Sequence, residues 1–496
     1  MSQAAAFKLV EATIADIHAA YLSGALSVRQ LVEAYLARIE AYDKKGPTIN
    51  ALISLNPKAL EEADRLDRAF KTSGLTGPLH GIPIVVKDQA DVAEMPTTLG
   101  SVLFKDYMPG QDCFVAARLR AAGAILLAKG TLGELGAGDT HGSLYGSTRN
   151  PLDLERTVGG SSGGPAAAVS ANFATVGVGQ EGLASIRRPA IWTGITGMRP
   201  SGGLVSRSGV YEGWPSMNGS LGPVARTVTD LAKLLDVMIG YDPEDPSTAH
   251  GVGHVPESYA ALLDKNALKG ARIGIIREPM GLFSEPDSED FARVTEVFDR
   301  AIGELRAAGA EIVDPVVIAD MKELTAQRAF SAEESARAFK TYFDRNGKGP
   351  YASRQEAIAS PLFQKLLKPT QDRWVRTGPE ERYAPSFRAR ATLMTNMLKT
   401  MADHRLDALV HKAVEHTPTL IRDGVNPPYV EQKGSSHINT FLQSVPSVVV
   451  PSGFTRDNLP AGITFLGRPY SDATMLRLAY AYEQATHHRI VPATVP

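Results

Sequence analysis

The stretch from Gly159 to Ala190, GGSSGGPAAAVSANFATVGVGQEGLASIRRPA, constrains this chain more than any other segment. It opens on the glycine and serine cluster Gly159 to Gly164, continues through an alanine-rich segment that reads as a packed helix, and ends in Ala184-Ser185-Ile186-Arg187-Arg188-Pro189. Glycines on both sides of Ser161 and Ser162 allow backbone conformations that a Cβ disfavours and leave N–H groups free to approach a ligand. One supersecondary unit therefore carries two serine sites, which is the layout of a functional site.

The rest of the chain narrows the class. At 496 residues it can bury a large core, and the usual prior of roughly 100–200 residues per domain does not forbid one continuous sheet. Lys and Arg number 52 against 54 Asp and Glu, a formal net charge of −2 with no basic stripe, which argues against nucleic acid and anionic membrane as partners. The lone Cys113, flanked by Phe114, Val115 and Ala116, excludes an intrachain disulfide framework and reads as a small buried hydrophobe in a reducing compartment. No basic region followed by an apolar core opens the chain, and no apolar run reaches the roughly 20 residues of a membrane span. The expected location is cytoplasmic.

Helices and short apolar strands alternate along the sequence, a pattern that favours α/β layering. Ser27-Val28-Arg29-Gln30 is a capping box ahead of Leu31, Tyr35, Ile39 and Tyr42, and Pro57 to Lys71 forms a second amphipathic helix. Residues 46–55 predict a turn and strand, and Ala124 to Ala128 a buried strand after a helix from Phe114 to Ala122. Pro223 to Gly240 predicts a helix and Ala271 to Ile276 a strand; Asp290 to Ala308 predicts a helix, Ser444 to Pro451 and Gly462 to Leu466 two strands, and Asp472 to Thr486 a closing helix. Met321 to Arg422 reads as charged, irregular helix broken at Pro361, Pro369 and Pro379, a cap over a site rather than part of the sheet.

Several chemistries are disfavoured. None of the histidines fits H-E-x-x-H, one cysteine cannot build a thiolate site, and no phosphate loop with its lysine is present. G-x-S-x-G matches at Ser161 and Ser162, but a nucleophile elbow follows a central strand, and Glu155 to Val158 is a poor one. A lysine-based arrangement needs no histidine. The apolar run Ile82 to Val86 ends in Lys87, and a lysine kept neutral by burial can take a proton from a hydroxyl. Serine–lysine sites are known variants of triad logic.

The block GGSSGG, the interval of 24 from Ser161 to Ser185, and the ending S-I-R-x-P-A resemble the amidase signature family. GIPIVVKDQADVAEMPTTLGS (81–101) is similar to its lysine segment, and SLGPVARTVTDLAKLLD (220–236) and GRPYSDATMLRLAYAYEQA (467–485) look like its later segments. The resemblance covers nearly the whole chain and is weakest over about 320–435. It implies one domain spanning 1–496, a large α/β fold whose mixed sheet is flanked on both faces by helices, with 320–435 a helical region shaping the substrate pocket.

Carried over residue by residue, the resemblance implies that Lys87 is the base, Ser161 the middle serine on a cis peptide bond, and Ser185 the acyl-accepting nucleophile. Backbone N–H groups of Gly182, Leu183, Ala184 and Ser185 would form the oxyanion hole, Ser162 would orient the relay, and Arg187 would anchor the loop. No metal and no organic cofactor are implied; the partners are a small amide and water, with a homodimer left open. Leu183 and Ala184 depart from the family's paired glycines and put the oxyanion turn in question. Three functions stay in view: a stand-alone amidase, a glutamine-hydrolysing subunit of an amidotransferase complex, and a non-catalytic scaffold. Phe330, Phe339, Tyr342, Phe343 and Trp374 suggest an apolar or aromatic substrate, with core packing as the alternative.

Overall fold

The computed structural model describes residues 7–216, 219–376, 380–436 and 438–496. Within them an 11-stranded mixed sheet runs through the molecule. Its strands are β1 (Leu52–Leu55), β2 (Pro83–Lys87), β3 (Ile125–Gly130), β4 (Val176–Glu181), β5 (Thr196–Arg199) and β6 (Ser220–Ala225). They are followed by β7 (Arg272–Ile276), β8 (Glu311–Val316), β9 (Ala408–Lys412), β10 (Ser447–Phe454) and β11 (Pro460–Leu466). The spatial order is β1-β3-β2-β4-β6-β5-β10-β11-β9-β7-β8. Parallel pairing joins β3, β2 and β4 towards one end, where β1 forms the edge antiparallel to β3, and β9, β7 and β8 at the other. The strands between alternate antiparallel. Helices cover both faces of this single large α/β domain.

Position in the sheet explains the burial. Every residue of β2, PIVVK, is buried, as expected for a strand with parallel neighbours on both sides and layers above and below. Locally the chain follows its own signals. Ser27 accepts from the N–H of Gln30, whose side chain returns the bond, and the helix Val28–Ile39 starts there. Cys113 is buried at a helix N-terminus with its Sγ accepting from the N–H of Ala116.

Four parts of the sequence reading change. First, the alanine-rich helix is only Gly163–Ser170, and β4 separates it from Ser185. Gly177 and Gly179 disguise that strand; a Cβ at 179 would come 2.9 Å from Ile186 Cγ1 and 3.1 Å from Ser162 Oγ, so close layering demands glycine there. Second, Pro223 belongs to β6, and the helix starts only at Val228, capped by Thr227. Third, β5 and β8 had no counterpart in the sequence reading. Fourth, 320–435 is not wholly a helical cap, because β9 runs inside the sheet between β11 and β7. The breaker Pro379 lies outside the described residues.

The glycine cluster works mainly by close approach. A Cβ on Gly164 would meet the Thr131 N at 2.2 Å and the Thr131 O at 2.4 Å, both backbone atoms that cannot swing away. Gly164→Ala should therefore cost about 1–3 kcal/mol or more in urea denaturation. Gly303→Ala, on an exposed helical position with nothing near its Cβ, should instead stabilise by about 0.5–1 kcal/mol. Equal tolerance of both changes would contradict this account of the cluster.

Candidate active site

Two lysines end neighbouring strands, and their partners differ. Lys129 on β3 sits 3.0 Å from Asp88, with both side chains fully buried. Lys87, at the end of β2, has no such carboxylate contact among the described residues. Its Nζ lies 2.7 Å from Ser161 Oγ, with the Gln180 carbonyl O and Oε1 at 3.3 and 3.4 Å. Burial pushes its amine down to about 7, and the nearby charges of Glu212 and Glu181 only partly oppose this.

Ser161 is held by backbone wedged into a tight space. The Gly160–Ser161 peptide bond is cis. A Cβ on Gly160 would come 2.3 Å from the carbonyl O of Gly138. The Gly160 carbonyl accepts from an Arg188 Nη at 2.9 Å, and that guanidinium pairs with Asp139 at 2.6 Å and stacks over Trp192 at 5.2 Å. Trp192 in turn donates to the His416 carbonyl at 3.1 Å. Ser161 itself accepts through its carbonyl from the Gly133 N–H at 3.0 Å.

The turn that leaves β4 is organised by one carboxylate. Glu181 accepts from the N–H groups of Ile186 and Arg187 at 2.9 and 3.0 Å and pairs with Arg187 Nε at 2.7 Å. Arg187 also donates to the Leu183 carbonyl at 2.7 Å, closing the loop on itself. Among the described residues the N–H groups of Gly182, Leu183, Ala184 and Ser185 donate to no protein acceptor. Four donors on one half-open turn can receive an oxyanion. Leu183 and Ala184 are 7% and 2% exposed and neither has a positive φ, so this turn does not require glycine where the chain lacks it.

Not every predicted contact is made. Ser161 meets Lys87, and Arg187 lies wholly within the loop. The Ser162 hydroxyl bonds none of Lys87 Nζ, Ser161 Oγ and Ser185 Oγ among the described residues; it donates to the Gln180 carbonyl at 3.0 Å and accepts from the Gln180 N–H at 3.1 Å, which fixes the strand end that faces Lys87. Ser185 is partly exposed while Ser161 and Ser162 are buried, and its carbonyl accepts from the Ser162 N–H at 3.0 Å. No hydrogen bond joins the Ser161 and Ser185 hydroxyls among the described residues; catalytic contacts are often loose before substrate arrives.

Four of the five aromatic residues singled out in the variable region are core. Phe339, Tyr342, Phe343 and Trp374 pack with Phe104, Tyr107 and Tyr211, whereas Phe330 is exposed under Arg328. The suggestion of an aromatic substrate therefore loses its support. Sequence reasoning missed Gln180, Arg188, Asp139 and Glu212. Only Arg188 carried a signal, as a second arginine beside Arg187 in an otherwise apolar helix.

The Amidase family model matches residues 30–476. The chain is 33% identical over 496 residues to the glutamyl-tRNA(Gln) amidotransferase A subunit of Symbiobacterium thermophilum, covering 97% of this chain and 98% of that protein. It is 34% identical over 495 residues to the protein of the same name from Chloroflexus aggregans, covering 96% of each. Among solved structures, the native peptide amidase of Stenotrophomonas maltophilia superposes with a TM-score of 0.88 at 32% identity, covering 99% of this chain and 100% of that one. The chain belongs to the amidase family.

Arg187→Met should remove the partner of a fully buried Glu181 and cost about 3–5 kcal/mol in urea denaturation. A loss below about 1 kcal/mol would show that the two backbone N–H groups alone hold that carboxylate.

Proposed function

We propose that this chain hydrolyses a carboxamide C–N bond through an acyl-enzyme on Ser185. The observation that carries the proposal is a buried amine, Lys87, without a carboxylate partner, in contact with Ser161 Oγ at 2.7 Å. Neutral Lys87 takes the Ser161 proton while Ser161 takes that of Ser185, and Ser185 Oγ attacks the carbonyl carbon. Charge on the carbonyl oxygen is met by the free N–H groups of 182–185, each such donor typically worth about 3–4 kcal/mol of barrier. The proton returns through the same pair to the leaving nitrogen, and water then attacks the acyl carbon to regenerate Ser185. Segments of 320–376, which pack against the loop following Lys87 through Tyr342 and Asn346 on Asp91 at 2.6 and 3.0 Å, would bound the pocket.

The curated relatives favour a second reading, in which this chain is the glutamine-hydrolysing subunit of an amidotransferase. The structural likeness to a peptide amidase favours the first. Activity of the purified chain on simple amides separates them.

Depression of the amine fixes the pH dependence. At pH 7 an ordinary lysine is neutral in roughly one molecule in 3,000, whereas a group at about 7 is neutral in about half. The rate at which an aryl fluorophosphonate phosphonylates Ser185 with loss of fluoride, read by intact mass, should rise about tenfold per pH unit below 7 and level off above it. Lys87→Met should slow it by about 100-fold or more at neutral pH, and Ser185→Ala should give no adduct. An adduct that persists in Ser185→Ala would reject that residue as nucleophile.

Stability carries the same sign. Between about 7 and the ordinary lysine value of 10.5 the unfolded chain binds the proton that folded Lys87 refuses, so stability rises with pH across that window. Lys87→Met should flatten this slope in urea denaturation. An unchanged slope would mean that another group carries it.

A further inference from the structure

The turn at Val210 to Gly213 is bolted to the segment that follows the lysine strand. The Tyr211 N–H donates to the Gln89 carbonyl at 2.9 Å, Gln89 Nε2 donates back to the Tyr211 carbonyl at 2.8 Å, and Ala90 bridges Val210. Glu212, at the tip, has a φ of 57, a left-handed conformation that residues with a Cβ avoid. Tyr211 is buried in the aromatic core, while the half-buried Glu212 carboxylate lies within electrostatic reach of Lys87 and of Arg354 and Glu334 of the variable region. It therefore lies near both the lysine strand and the segments that would roof the pocket.

This carboxylate has no partner among the described residues. Among the described residues it accepts no hydrogen bond and closes no ion pair, although Arg354 is near. Arg354 is held elsewhere, stacked over Trp374 at 4.9 Å and donating to the Trp374 carbonyl at 3.0 Å. A half-buried acid kept apart from the nearest guanidinium is costly unless something else meets it. The group that gains most there is a cation.

We propose that Glu212 is a specificity-determining residue that receives the ammonium group of substrates bearing a primary amine beside the scissile amide, α-aminoacyl amides in the first instance. The inference rests on the hydrolytic reading above and adds the substrate class. The ammonium would donate to the Glu212 carboxylate while the amide carbonyl points into the turn at 182–185. Burial pushes the free carboxyl above its usual range, and an arriving cation draws it back to the ionised form.

The test compares phenylalaninamide with 3-phenylpropionamide, which differ by the amine alone, at pH 7, where an α-amine is still mostly protonated. The expected result is a higher kcat/KM for phenylalaninamide, with the ratio falling about tenfold or more in Glu212→Gln. Lys87 serves both substrates, so any change in the base cancels in the ratio. Glu212→Asp, which keeps the charge, should retain part of the preference. A ratio that stays within about twofold in Glu212→Gln overturns the proposal. Calorimetric binding of both amides to Ser185→Ala, with and without Glu212→Gln, distinguishes the two failures. Selective loss of the cationic amide in the absence of any hydrolysis upholds the ammonium site and rejects the catalytic reading, whereas equal binding rejects the site.

Discussion

An amine moved from water into a close-packed sheet loses hydration that a hydroxyl and two carbonyl oxygens replace only in part. The contact of Lys87 with Ser161 depends on that imbalance, and much of the surrounding architecture maintains it. Lys129 ends the next strand in the same sheet and receives Asp88, so it is a structural ion pair. Lys87 is denied a carboxylate contact among the described residues, so burial outweighs the opposing charges of Glu212 and Glu181. A central parallel strand supplies the burial, and the wedged glycines bring the serine loop close enough to reach its end.

Two consecutive arginines then divide the remaining work. Arg187 turns to Glu181 and fixes the loop that bears Ser185, while Arg188 turns to Asp139 and holds the Gly160 carbonyl of the loop that bears Ser161. Both loops are thus tied through adjacent residues of one short helix, Arg187–Trp192. Ser162 adds a third tie by joining the end of β4, while its N–H meets the Ser185 carbonyl. Positions set this rigidly suit a proton relay, which tolerates little displacement.

Much of this was legible in the sequence where local signals and tertiary needs agree. The capping box at Ser27, the apolar run into Lys87 and the alternation of helices with strands correspond to real elements. The reading failed where packing overrides local preference. β4 is masked by glycines that the layer above requires, and β6 by Pro223, which local rules count against a strand. The strand β9 sits within a charged helical region. Four of the aromatic residues there are core because Phe104, Tyr107 and Tyr211, distant in sequence, pack against them. Glu212 left no local trace, because its position depends on how a loop far along the chain returns to Gln89. The departure at Leu183 and Ala184 proved compatible with an open row of donors, since glycine dihedrals are not used there.

The central claim, that burial leaves the folded Lys87 amine neutral in about half of the molecules at pH 7, is open to direct observation. In protein carrying 15N- and 13C-labelled lysine, the Lys87 side-chain resonance can be assigned by its absence in Lys87→Arg and followed from pH 5 to 11. The account predicts a midpoint at about 7, set apart from the exposed lysines, which titrate near 10.5. A midpoint close to 10 would show that the amine is charged in the folded protein, and would contradict its assignment as the base that activates Ser161.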